Sequence, residues 1–433
     1  MRPHNPQLPE TGETPTMQKV LIITHLFYAS PRIPGLAKFL PEFGWEPIIL
    51  TTPLGENPDS RFGPSDNFKD TTRVVETVGY ASSYGKSRPT LKRHRKIRSI
   101  LKFFYSYYRE IVQYPDSEKE WKPYAIEAAS RLFKTEDIDA MISSSSPATA
   151  HLIAEQLKAK HKIPWVADLR DLWTQNHNYP YSLLRRIRER RLELKTLKKA
   201  DALMTVSKPL ADELKTMHHK EVYTITSGYD PDKMSKGNVD LTHKFTVTYT
   251  GQIYARQDSS KLLVALKDLI SHGAIDERDV EIRFYGPENE LLQEQIERYG
   301  LLDSVKQNGM IPREASFERQ RESQVLLLLN WEDPREKGVY TGKIFEYLAA
   351  QRPILATGGF GDDVVKELLD ETRSGVYCPT PEDVKSALQR SYAEYKCAGK
   401  VKFNGDMGKI SRYSYRETAA EVAGILDRLL RRS

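Results

Sequence analysis

The sequence predicts an α/β protein of two doubly wound domains, on three observations. From Lys19 onward, short apolar runs rich in β-branched residues alternate with amphipathic stretches of helix length. The runs are apolar throughout rather than alternating, the pattern of parallel strands covered on both faces. The series breaks at a Ser-Gly-Tyr-Asp-Pro turn (227–231) and then restarts, and 433 residues exceed one ordinary core.

In the first set the expected strands are 19–25, 47–51, 74–78, 138–143, 165–169, 202–206 and 222–226, with helices over 34–43, 121–133 and 149–160 among them. The second set has expected strands at 245–250, 280–285, 305–308, 325–330, 354–357 and 375–377. No short repeat links the sets, so they share a pattern and not a sequence. Residues 1–17, rich in Pro, Thr and Glu and without an apolar core, read as a flexible leader and not a signal peptide. No apolar run approaches the roughly 18 residues of a spanning helix. Two cysteines, Cys378 and Cys397, are too few for a disulfide framework or a Cys-based zinc site, and a reducing cytoplasm is the expected location. The net charge of +6 is modest, so the placement of the cations matters more than their sum.

Ligands of doubly wound sheets bind outside the carboxyl ends of the strands. The loops after His25, Ile142, Ala167, Thr250, Tyr285, Asn330 and Thr357 are therefore the candidates. In WVADLRDLW (165–173), an apolar strand runs into Asp168, Arg170 and Asp171, three ionisable groups that suit hydroxyl binding or charge stabilisation and equally suit a local ion-pair network. ISSSSPATAHL (142–152) sets Ser144 and Ser145 before a helix start, where hydroxyls and free N–H groups fit a sugar, a phosphate or a plain helix cap. Arg32 opens the first helix, in reach of an anion or of solvent. The glycine-rich dinucleotide fingerprint is absent from that turn. In the second set, Gly251 and Gly286 follow strands and allow close backbone approach, while Arg256 and Lys261 can neutralise a diphosphate. GKIFEYLAAQRPIL (342–355) puts Lys343 and Glu346 three apart on one helix face, at an N-terminus that attracts phosphate. That pairing suits a nucleotide sugar, although it also describes a weak surface ion pair.

Two basic segments remain. Leu91 to Tyr108 grades from cations into aromatics and leucines, as a helix lying on an anionic membrane does. Its aromatics follow the cations instead of interleaving with them, so no nucleic-acid partner is expected. Residues 185–199 are as basic, but Glu189 and Glu193 sit at pairing distances and suggest a salt-bridged amphipathic helix.

LAKFLPEFGWEPIILTT (36–52), ADLRDLW (167–173), ADALMTVSKPLADEL (200–214), TSGYDPDKM (226–234), YTGQIY (249–254) and GKIFEYLAAQRPILATG (342–358) occur in the order seen in one family. From Lys19 onward the chain resembles a retaining GT-B glycosyltransferase of the family 4 type, "glycosyl transferases group 1". The resemblance implies two Rossmann-like domains facing across a cleft, an acceptor-side domain over 18–228, a hinge over 229–243, a nucleotide-sugar domain over 244–408 and a last helix (409–433) crossing back to the first domain. It implies that Glu346 contacts the donor ribose, that Gly251, Arg256 and Lys261 meet its diphosphate, and that the Asp168 loop positions donor sugar and acceptor. No metal and no further cofactor is implied. The expected partners are a nucleotide sugar and a glycan or lipid-linked acceptor, as in assembly of bacterial cell-surface polysaccharide, with the protein at the inner membrane face. The first carboxylate of the family's Glu-x7-Glu motif falls at Gly338, with Glu336 two residues before it. A nucleotide-sugar epimerase of the same fold and a non-catalytic binding scaffold are the alternatives.

Overall fold

The computed structural model describes residues 17–25, 30–53, 72–80, 110–178, 181–234, 239–254 and 256–432. Leu91 to Tyr108 and the leader up to residue 16 lie outside the described residues.

Two parallel sheets form two lobes. The first has seven strands in the order β3-β2-β1-β4-β5-β6-β7 and the second six in the order β10-β9-β8-β11-β12-β13. The first-lobe strands are β1 Gln18–Thr24, β2 Trp45–Thr51, β3 Arg73–Glu76, β4 Ala140–Ser145, β5 Trp165–Leu169, β6 Ala202–Thr205 and β7 Val222–Thr224. The second-lobe strands are β8 Phe245–Thr250, β9 Val280–Tyr285, β10 Val305–Gln307, β11 Val325–Leu329, β12 Ile354–Thr357 and β13 Gly375–Cys378. In each sheet the order reverses beside the strand that comes first in the sequence, β1 or β8, and opens a crevice at the carboxyl ends.

Strand apolarity has a direct packing cause. Leu21 and Ile23 of β1 enter the core on one face of the sheet, whereas Val20 and Ile22 enter the core on the other. In β11, Leu327 and Leu329 are divided from Leu326 and Leu328 in the same way. A strand buried on both faces has no solvent side and carries no polar alternation.

The helices that position the site are α1 Arg32–Phe39, α2 Trp121–Thr135, α3 Thr149–His161, α4 Leu183–Leu197 and α5 Lys208–His218 in the first lobe. The second lobe follows with α6 Ser260–Ser271, α7 Glu290–Tyr299, α8 Arg313–Arg321, α9 Lys343–Ala350, α10 Val364–Thr372, α11 Pro381–Ala398 and the short α12 Met407–Ile410. The helix expected over 34–43 ends earlier, because Pro41 tightens the chain into a 3-10 turn (Leu40–Phe43) closed by left-handed Gly44.

The last helix, α13 (Tyr415–Leu430), crosses back onto the first lobe. Its Tyr415, Val422, Ile425 and Leu426 share a core with Ile33, Leu36 and Trp45, and the Trp45 indole N–H donates to Asp427 at 2.9 Å. The two chain crossings pair with each other: Tyr229 N–H donates to Tyr413 O at 3.1 Å and Tyr415 N–H to Tyr229 O at 2.8 Å. Each lobe's connection to the other is thereby tied by backbone bonds.

Candidate functional site

The loop after β5 is held from behind by a buried ion pair. Arg32 spans to Asp168 with two bonds, Nε to Oδ2 at 3.1 Å and Nη2 to Oδ1 at 3.0 Å. Its Nη1 donates to Ile225 O at 2.9 Å and Thr226 O at 2.8 Å, at the exit to the second lobe. Ser144 Oγ donates to Asp168 at 2.8 Å, and Ser145 O accepts from Arg170 Nε at 2.7 Å. Arg32, Ser144, Ser145 and Asp168 are all buried. Direct contact of Asp168, Ser144 or Arg32 with a substrate does not suit this geometry, because their polar atoms are spent on one another. They frame the site from inside the lobe.

Of the three ionisable residues at this strand end, Asp168 is buried, Arg170 half-buried and Asp171 exposed. Desolvation nevertheless raises the Asp171 carboxyl above the ordinary value; Arg170 opposes the rise, while Glu336 and Asp168 add to it. The loop then returns through Thr174, whose N–H and hydroxyl are held by the buried Glu193 of α4 (N–H at 3.1 Å). His218 Nε2 lies 3.2 Å from the other oxygen of Glu193.

That return carries His177 and Asn178 to the second lobe. His177 Nε2 lies 2.8 Å from Arg256 Nη1 and 3.1 Å from Glu336 Oε1, accepting from the first or donating to the second according to its protonation. Asn178 Nδ2 donates to Glu336 Oε1 at 2.9 Å. Arg256 also pairs with Asp333 at 3.0 Å. Asp333, whose first partner is Arg335, is held far below the ordinary carboxylate range. Lys261 pairs with Glu332 at 2.6 Å. In this state the two cations expected at a diphosphate are therefore both engaged by carboxylates of the segment after β11.

Gly338 sits where the lobes meet: a Cβ there would lie 3.0 Å from Pro209 Cβ and 3.4 Å from Leu210 Cδ2 at the start of α5, so a side chain would need these neighbours to give by a few tenths of an ångström. Glu336 is the carboxylate that reaches His177 and Asn178 across the cleft.

Deeper in the second lobe, Gly251, Gly286 and Lys343 converge. Gly251 has φ +107°, and a Cβ on it would lie 2.6 Å from Lys343 Cε. A Cβ on Gly286 would lie 2.3 Å from Gly251 O. Only glycines leave the room for this packing. Lys343 Nζ lies 5.2 Å and 5.7 Å from the ring centroids of Tyr249 and Tyr254, and 3.4 Å from Gln252 O. Among the described residues no carboxylate lies within ion-pair distance of it. Burial lowers its ammonium from 10.5 to about 8, a fall that Glu346 partly offsets. Glu346 itself accepts from Arg313 Nη2 at 3.1 Å.

Residues 103–233 match the family model described as Glycosyltransferase Family 4. The matched stretch runs through the carboxyl-terminal half of the first lobe. No curated protein matches the sequence. Sucrose-phosphate synthase from Thermosynechococcus elongatus is similar at 13% identity and a TM-score of 0.64, over 96% of this chain and 100% of that one. A glycosyltransferase from Rickettsia africae is similar at 13% identity and a TM-score of 0.63, again over 96% and 100%. Anabaena HepE in complex with UDP is similar at 12% identity and a TM-score of 0.54, over 96% of this chain and 98% of that one. At such identities the likeness establishes the fold, and the two lobes with the returning helix form the GT-B fold.

Several residues of this cleft were not singled out from the sequence. His177 and Asn178 lie in a polar stretch, TQNHNYP, just past the Asp168 segment. Arg313 opens α8 after β10 with no distinguishing pattern. Position within a loop that follows a strand is the one signal that points to them.

Proposed function

We propose that the chain transfers a sugar, with retention of configuration and without a bound metal, from a nucleotide sugar to a glycan or lipid-linked acceptor in cell-surface polysaccharide assembly. The carrying observation is the crowded, carboxylate-free Lys343 ammonium against the bare backbone of Gly251, with Glu346 on the same helix face. A desolvated cation beside a helix start stabilises a diphosphate strongly. A carboxylate one turn on takes ribose hydroxyls. That HepE is described in complex with UDP and with UDP-glucose supports a donor of this class.

In the transfer, the bond from the anomeric carbon to the diphosphate oxygen breaks and its electron pair stays on the diphosphate. Lys343 and the α9 N-terminus stabilise that charge, joined by Arg256 as it exchanges Asp333 for phosphate. The acceptor hydroxyl forms the new bond on the same face and gives up its proton. Among Asp168, Arg170 and Asp171, the raised and accessible Asp171 carboxylate is suited to receive that proton. The contacts of His177 and Asn178 with Glu336 close the cleft against water. Contact of Leu91 to Tyr108 with an anionic membrane belongs to the same proposal.

The test is incubation of the purified protein with a panel of nucleotide sugars and membrane-extracted lipid acceptors. Transfer should be abolished by Glu346→Ala and by Arg256→Ala, with the product anomer read by NMR. Release of an altered free nucleotide sugar would instead identify an epimerase, and nucleotide binding without turnover a scaffold.

A further inference from the structure

Helix α4 (Leu183–Leu197) buries an unusual number of polar groups. Arg185, Glu189, Glu193 and Thr196 are all buried, beside Leu197 in the core and Leu192 packed against it. Arg185 Nε donates to Glu189 Oε1 at 2.9 Å and its Nη2 to Gln113 O and Pro115 O at 2.9 and 3.0 Å. Glu193 is turned to Thr174 and His218, and Thr196 Oγ1 donates to Glu155 at 3.2 Å. The salt-bridged amphipathic helix expected from the sequence forms, with its Arg185–Glu189 pair buried instead of at the surface. Both carboxylates of the helix point into the protein, and its remaining cations point out with no carboxylate of the helix beside them.

The outward face is apolar along its centre. Leu183 is 70% exposed, Leu184 71%, Ile187 43% and Leu194 36%. At 100° per residue, Leu183, Ile187 and Leu194 fall within about 40° of one another, a stripe about 16 Å long. Arg186 and Arg190 flank the stripe on one side, and Arg188, Arg191 and Lys195 on the other; all five are exposed. Ile111 (58% exposed) and Val112 (41%) extend the patch at the helix start, tied there by Glu110, which accepts from Ser182 N–H and Oγ at 2.5 and 2.6 Å.

We propose that this face docks on the surface of an anionic lipid bilayer. A stripe of leucines with cations on both flanks fits an interface that offers hydrocarbon below and phosphate beside it. A second copy of the chain fits poorly, since a two-fold contact would set the cationic flanks against each other. Nucleic acid would satisfy the arginines and leave the leucines bare. Among the described residues no helix is long and apolar enough to cross a membrane, so the contact is peripheral. Docking bears on the site through Glu193, which joins α4 to Thr174 of the loop carrying His177 and Asn178 to the cleft. The surface contact itself does not depend on the donor reading above.

The test is co-sedimentation of the full chain with vesicles of phosphatidylcholine alone and of phosphatidylcholine mixed with phosphatidylglycerol. The wild-type protein should pellet with the mixed vesicles only. Leu183→Ser with Ile187→Ser, both on the surface, should reduce that binding by about tenfold or more. Arg186→Gln and Arg190→Gln should each weaken it by about fivefold and flatten its salt dependence. A nucleoside-diphosphate thermal shift should be the same in all variants, which separates loss of docking from loss of the donor site. Variants that pellet like wild type overturn the proposal. So does a wild-type dimer by light scattering that the Leu183/Ile187 pair of changes converts to monomer without any vesicle binding.

Discussion

Each lobe holds a cation at the carboxyl ends of its strands, and the two are treated in opposite ways. Arg32 in the first lobe is buried and meets a bidentate carboxylate and two carbonyls. Lys343 in the second is crowded by aromatic rings and glycine backbone, with its one carboxylate neighbour on the helix held by Arg313. Burial of a charge is tolerated where hydrogen bonds replace water, and shifts the protonation equilibrium where they do not. The first arrangement is a frame. The second leaves an ammonium with no carboxylate at ion-pair distance among the described residues.

The largest effect should come from breaking the frame. Asp168→Ala leaves Arg32 buried without its partner and should cost about 3–5 kcal/mol, read as a lower urea midpoint. Replacing both residues, Arg32→Met with Asp168→Leu, should cost less than the single change, because no orphaned charge remains. A cost under about 1 kcal/mol for Asp168→Ala would show that the pair frames nothing.

Lys343→Met should act in the opposite sense. Nucleoside-diphosphate affinity by calorimetry should fall about 10- to 100-fold, the worth of a charge-assisted bond, while the melting temperature of the free protein holds or rises. A melting temperature that drops would make Lys343 a structural cation like Arg32.

The pH dependence sharpens the same contrast. The Lys343 ammonium is lowered from 10.5 to about 8 in the folded protein, so between these values the unfolded chain binds the extra proton. This group's contribution to stability therefore improves as pH rises through that window. Diphosphate affinity should do the reverse and fall above pH 8, by about tenfold per pH unit at most, as the charge is lost. Lys343→Arg should flatten that fall. A wild-type affinity that stays level to pH 10 would remove Lys343 from the diphosphate site.

The smallest effect is expected where the lobes meet. Arg256 is 41% exposed on its side chain, so solvent screens its pairs with Asp333 and Glu336. Glu336→Ala should shift the urea midpoint by less than about 1 kcal/mol, yet raise the radius of gyration in small-angle scattering as the cleft opens. Unchanged scattering would mean that the Gly338 contact with α5 suffices to hold the lobes.

Much of this molecule was legible without coordinates, for reasons that are local. The strands are apolar runs because both faces of each sheet are covered, and β5, β8, β9 and β12 fall at the bounds their composition predicts. Lys343 and Glu346 share a face because three residues nearly complete a helical turn. The motifs kept their order along the chain, which sufficed for the GT-B architecture. Contacts between distant residues were not legible. Asp168 read as a substrate-facing group or a member of a local ion-pair network, and its partner Arg32 lies 136 residues earlier. The pairing of Glu189 was legible from its i,i+4 spacing to Arg185, but that spacing does not say whether the shared face turns inward. Glu336 read as out of register, and its contact with Asn178, 158 residues earlier, was not visible. Backbone periodicity determined the two sheets and helix α9. Which charges are spent inside the protein and which remain for a ligand or a membrane was decided by tertiary packing, since desolvation depends on neighbours that arrive from elsewhere in the chain.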